Sequence, residues 1–149
     1  MRCVSIVDKM EVIPMIRTIE ELLELDTFME RFDYLKLDGS VGVITFGFDR
    51  YLNQKFYSSL EWKQIRDHVI IRDNGCDLGL EDYPIIGKLV IHHINPILIK
   101  DIERRTRIIM DPNFLITTSN RTHQAIHYGN RDLLPKPFQE RFSGDTKLW

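Results

Sequence analysis

Cysteine is scarce in this chain. Cys3 and Cys76 stand far apart and form no CxxC pair, which excludes a disulfide framework or a cysteine zinc ribbon as the basis of the fold. Both read as incidental or buried thiols. Long apolar runs are missing too. No segment approaches the roughly 20 apolar residues that span a bilayer. The stretch MRCVSIVDKMEVIPMI carries acids and a proline where a signal peptide needs an unbroken apolar run. The expectation is a soluble protein of a reducing cytoplasm. A surplus of positive charge is the third absence. With 20 basic against 22 acidic residues the net charge is -2, so bulk charge does not coat nucleic acid and any such binding has to come from a local patch. No internal repeat or low-complexity linker divides the chain, and 149 residues suit one domain with a modest core.

What is present is a series of amphipathic segments. From Thr18 to Lys36 the apolar residues Ile19, Leu22, Leu23, Leu25, Phe28, Met29, Phe32 and Leu35 recur at spacings of three and four, which predicts one helix. Thr18 with Glu21 fits a capping box at its start. DGS at 38–40 turns the chain into VGVITFGF, a strand by its valines, threonine and aromatics. A second helix is expected from Ser58 or Ser59, stopped by Asn74 and Gly75. GKLVIHH reads as a short buried strand that Pro96 ends. LIKDIERRTRIIM reads as helical, FLITT as a second short strand, and SNRTHQAIHYG as a short helix between an N-cap at Ser119 and a stop at Gly129. The tail from Asn130 holds Pro135 and Pro137 and is expected to run over the surface. The class is α+β.

Chemistry concentrates in the histidines, of which the chain has five. His123 and His127 are four apart on the expected helix, so they project from one face and can meet one ion. His92 and His93 are adjacent on the expected strand and therefore point to opposite faces. That adjacency suggests divided labour, one ring toward an ion and the other toward substrate or solvent. Three imidazoles around an open position can polarise a phosphoryl oxygen, and a neutral imidazole nearby is suited to taking a proton from water. Alone, HxxxH is more often a solvated helix face, and HH is equally weak. Together, in the order strand-end HH, DPNFLITT, helical HxxxH, they point to a metal site.

In that order the residues resemble the HNH endonuclease family. HHINPI followed by NFLITTSNRTHQAIH is similar to its two strands and helix around one divalent ion. The resemblance implies a small ββα-metal (His-Me finger) core at 57–130, an N-terminal helix and strand extension at 1–56 and a C-terminal tail at 131–149, all in a single domain. It implies His92 and His123 as metal ligands and His93 as the general base that activates water. Asn113 would fasten the long loop between the strands by hydrogen bonds and so orient His93. His127 would be a further ligand or a phosphate contact, and Asn120 is a weaker rival to His123. The family's chemistry is phosphodiester hydrolysis leaving a 5′ phosphate and a 3′ hydroxyl.

The wider stretch from about Val41 to Trp149, including FDRYLNQKFYSSLEWKQIRDHVIIRDNGCDLG and the terminal GDTKLW, looks like HNH proteins of tailed bacteriophages. It implies DNA as substrate, terminase or portal proteins as partners in genome packaging, and the host cytoplasm as the location. An accessory assembly factor docking on that machinery without cutting is the alternative. Magnesium, manganese, nickel or zinc are the candidate ions. Arg66 and Arg72 are candidates to orient the phosphate, with structural ion pairs, Arg72 with Asp73 among them, as the competing reading. Arg104, Arg105 and Arg107 either reach the DNA backbone or form a solvated face. Many members of the family carry two CxxC pairs around a structural zinc. Cys76 stands alone here, so the scaffold must rest on packing.

Overall fold

Two short antiparallel strands, β1 (Leu89–His93) and β2 (Leu115–Ser119), lie at the centre of the computed structural model, which describes residues 15–37 and 50–136. The expected strand over 41–48 and the chain beyond 136 lie outside the described residues. Pairing runs from Leu89 opposite Ser119 to His93 opposite Leu115, with His92 opposite Ile116. A two-stranded ribbon is marginal by itself in water. Here both faces are covered, and alternation assigns successive residues of each strand to different cores.

On one face, Ile116 and Ile94 join Ile19 and Leu22 of α1 (Ile19–Leu23), Phe28, Phe32 and Leu35 of α2 (Phe28–Leu35), Leu78, and two helical residues nearer the C-terminus, Ala125 and Ile126. On the other, Ile91 and Leu115 join Phe56, Trp62, Val69, Ile102 and Ile109. Phe56 belongs to α3 (Arg50–Tyr57); Trp62 and Val69 belong to α4 (Leu60–Arg72). Each fully buried aliphatic side chain contributes about 2 kcal/mol by leaving water, so the ribbon is held by the helices on either side of it. The architecture is α+β, as expected.

The single helix expected over 18–36 is two helices. Thr27 ends the run because its side chain caps α2, accepting from the Glu30 N–H while the Glu30 carboxylate accepts from the Thr27 N–H. A reciprocal box of this kind outweighs continued apolar periodicity. At Thr18 only half of the expected box forms, its hydroxyl oxygen accepting from the Glu21 N–H. Glu21 instead accepts from the Tyr34 hydroxyl.

Ser59 caps α4, and Asn74 and Gly75, both left-handed with φ of 53 and 64, end it. The segment after β1 forms α5 (Ile99–Arg104) and α6 (Arg107–Met110), separated at Arg105, where φ is 49. The Asp101 carboxylate holds that corner by accepting from the Leu98 N–H and the Thr106 hydroxyl. Helix α7 (Asn120–Tyr128) starts at the Ser119 cap and stops at left-handed Gly129, as the sequence signals predict. Buried Asp77 fixes its start, accepting from the Ser119 N–H at 3.0 Å and the Thr122 hydroxyl at 2.5 Å.

Candidate metal centre

Because His92 lies on the face of β1 that α7 covers, its ring meets the two histidines of that helix. Ring centroids are 5.4 Å from His92 to His123, 5.2 Å from His92 to His127 and 4.4 Å between His123 and His127. One nitrogen from each residue falls within 4.8 Å of the others, and the His123 and His127 Nε2 atoms are 3.1 Å apart. Tetrahedral coordination at a metal–nitrogen distance near 2.05 Å separates ligand nitrogens by roughly 3.4 Å. The His123 and His127 pair is already close to that spacing, and the triad could hold a metal ion.

A second observation fits an ion there. His92 is 2% exposed, and its Nε2 is enclosed with no hydrogen-bond partner among the described residues. A buried polar atom left unpaired is destabilising, and native interiors seldom keep one without a reason. Burial holds the His92 imidazole well below its ordinary value, with further lowering from His123, His127, His93 and Arg17. Burial, then the neighbouring His127, brings His123 to about 4, and burial lowers His127. All three are thus neutral at pH 7, the form that binds a metal.

His93 faces the opposite way, as strand alternation requires. Its ring stacks on Trp62 with centroids 5.3 Å apart and planes 16° from parallel, and Tyr57 stands edge-on at 6.4 Å. The His93 Nε2 lies 3.4 Å from the Ile109 carbonyl. Burial lowers His93 to about 4, against an upward push from that carbonyl. The adjacent histidines therefore serve two faces, His92 that of α7 and His93 that of α4.

Asn113 departs from the expectation. Its side chain is exposed and forms no hydrogen bond among the described residues; only its backbone N–H is engaged, donating to Asp111 Oδ1. The loop is fastened instead by Arg72, whose guanidinium donates to the carbonyls of Pro112 and Leu115, each at 2.7 Å, while pairing with buried Asp73. The reading of Arg72 as a phosphate contact is corrected accordingly, since its donors are committed to the protein. Asp73 in turn accepts from the Thr117 N–H of β2 at 2.8 Å.

The other arginines that the sequence singled out lie at or near the surface. Arg66 pairs with Asp67, Arg105 with Glu61 and Arg107 with Asp111, while Arg104 is exposed with no ion pair among the described residues. Exposed pairs of this kind are weak and exchange readily. Asn120, the rival to His123, lines a surface groove with Lys88 and Arg121 at the start of α7.

Sequence reasoning missed Trp62 and Tyr57 as the wall behind His93, Ile109 as its hydrogen-bonding neighbour, and Arg17 and Asn95 as a link between the N-terminal segment and the end of β1. Only Asn95, inside HHINP, carried a local signal. Compared with known proteins, the chain matches no protein-family model, no curated protein and no solved structure.

Proposed function

We propose that the chain is a metal-dependent DNA endonuclease or nickase of the HNH type. In this reading β1, β2 and α7 form a ββα-metal core, and His92, His123 and His127 hold one divalent ion. The observation that carries it is the convergence of three imidazoles, one of which, His92, is buried with an Nε2 that has no hydrogen-bond partner among the described residues. An ion held by His92, His123 and His127 would supply Lewis-acid charge to offset the negative charge that develops on phosphate oxygens during hydrolysis.

The chain supplies the proton acceptor. His93 is neutral at pH 7. With its Nε2–H directed at the Ile109 carbonyl, Nδ1 is left bare to take a proton from water. Trp62 braces the ring so that its orientation is fixed before substrate arrives. Three imidazoles favour zinc or nickel for affinity, whereas magnesium or manganese bind more weakly at nitrogen and keep more of their water.

The test is nicking of supercoiled plasmid with magnesium, manganese, nickel or zinc, each beside an EDTA control, with end-labelling of the product. Metal-dependent nicks with 5′ phosphates are expected. Stoichiometric metal binding with no nick under any of these ions would overturn autonomous catalysis, and would leave the role of a phage assembly factor docking on terminase or portal proteins.

A further inference from the structure

A groove of about 590 Å³ lies apart from the histidine triad, where the start of α7, the residue before β1 and the chain at 135–136 meet the loop 82–86. Gly87, with φ of 107, turns the chain from that loop into Lys88 at the foot of β1. The loop is firmly held. The Asp77 N–H donates to the Tyr83 carbonyl at 2.7 Å, the Ile85 N–H donates to the Gly75 carbonyl at 3.2 Å, and the Tyr83 ring stacks on Phe28 with centroids 4.4 Å apart. The groove is therefore formed before anything enters it.

Positive charge dominates its lining. Lys88, Arg121 and Lys136 line it, all three are exposed, and among the described residues none is in an ion pair. Two carboxylates share the lining. Asp77 is committed to α7, accepting from the Ser119 N–H and the Thr122 hydroxyl, which leaves exposed Asp82 against the three cations. In a chain of net charge -2 this is the local positive patch that binding of nucleic acid calls for. The remaining flank, Tyr83, Ile85 and Ile86, is apolar and screens those cations less than water does. Asn120 also lines the groove. It precedes His123 by three residues and His127 by seven, so the three share one face of α7. One helical turn, about 5 Å, separates Asn120 from His123 along that face, the rise of roughly one to two nucleotides of a strand.

We propose that this groove binds the phosphodiester backbone of DNA, with Lys88, Arg121 and Lys136 taking phosphates of the strand that runs past the histidine triad. Contacts to phosphates give affinity and register without sequence preference. The course of the strand past the triad rests on the nuclease reading, whereas binding of DNA in the groove does not.

Binding and turnover test it separately. Binding of a fluorescent duplex is measured in EDTA, where no cutting occurs, as a function of salt, for wild type, Lys88→Gln, Arg121→Gln, Lys136→Gln and the triple variant. Each lost phosphate contact lowers the slope of log K against log salt by about 0.9, and the triple variant should lose about 3. Lys36→Gln removes a charge near the other end of α7, where the Leu37 N–H donates to the Ile126 carbonyl, and is expected to keep the slope. Poly-glutamate, standing for an acidic peptide, is expected to compete weakly. In nicking assays with metal the triple variant should raise KM at least about tenfold and keep kcat, because contacts away from the scissile bond hold substrate and transition state alike. Exposed positions tolerate such changes, and each single variant carries the test if the triple one does not fold. Unchanged slopes in the groove variants, an equal loss in Lys36→Gln, or poly-glutamate binding that matches DNA and vanishes in the triple variant overturns the proposal. A wild type that nicks while the groove variants bind as it does keeps the nuclease reading and loses the groove. A wild type that binds through the groove and nicks under no ion keeps the groove and loses the nuclease reading.

Discussion

Replacing His92 by leucine exchanges a buried imidazole for an apolar side chain of similar size and removes the enclosed, unpartnered Nε2. An unsatisfied buried polar group costs about 1–3 kcal/mol. An imperfect fit of the new side chain costs up to about 1.5 kcal/mol. Metal-free His92→Leu is therefore expected to be more stable than metal-free wild type by about 1 kcal/mol, a rise of roughly 2–4 °C in Tm for a domain of this size. Zinc should reverse the order. At a free concentration a thousand times its Kd it stabilises the folded wild type by about 4 kcal/mol, whereas the variant keeps only His123 and His127 as ligands and should shift far less. The assay is a thermal melt of both proteins in EDTA and in buffered zinc. The reasoning is refuted if metal-free His92→Leu is less stable than wild type by about 2 kcal/mol or more, an outcome on the scale of losing a satisfied buried hydrogen bond. It is equally refuted if the variant retains the full zinc shift.

The remaining predictions concern the scaffold around that centre. Arg72→Met leaves buried Asp73 without its partner and frees the carbonyls of Pro112 and Leu115; a loss of about 3 kcal/mol in urea unfolding is expected, and a loss below 1 kcal/mol would show that the clasp is dispensable. Asn113→Ala removes an exposed, unbonded side chain, so its urea midpoint should move by less than about 0.5 kcal/mol; a large drop would restore the side chain as the fastener of the loop. In EDTA, stability should depend on acid through the histidines. Their folded values lie below 6.5, with His93 and His123 at about 4, so the unfolded chain takes up protons first. Their contribution is complete above pH 6.5 and is lost as pH falls from 6.5 toward 4. Unfolding free energies that stay flat across that window would contradict the burial of neutral imidazoles.

The readable parts of this sequence are those governed by neighbours along the chain. Strand alternation sends His92 and His93 to opposite faces, and helical spacing puts His123 and His127 together. Ser59, Ser119, Asn74 and Gly129 mark helix ends through local backbone chemistry. The break at Thr27 was equally local, since Thr27 and Glu30 have the spacing of a capping box, but the longer apolar period across 18–36 concealed it. Other features had no local signature. The Arg72 clasp joins residues 40 and 43 positions apart, and the bond between Arg17 and Asn95 spans 78. Trp62 read as an ordinary apolar position of an amphipathic helix, and only packing against β1 makes it the platform under His93. Arginine is abundant in the chain, and nothing in its spacing marks Arg72 as the one whose donors clasp Pro112, Leu115 and Asp73.

The central claim is that two adjacent histidines divide the chemistry, with His92 holding an ion and His93 taking a proton on the other face of the strand. Its most direct test is plasmid nicking by wild type and His93→Ala with bound metal quantified in the same samples. The account predicts that His93→Ala keeps its ion at the wild-type ratio and does not cut. A variant that cuts at the wild-type rate, or that loses its metal along with its activity, would contradict it.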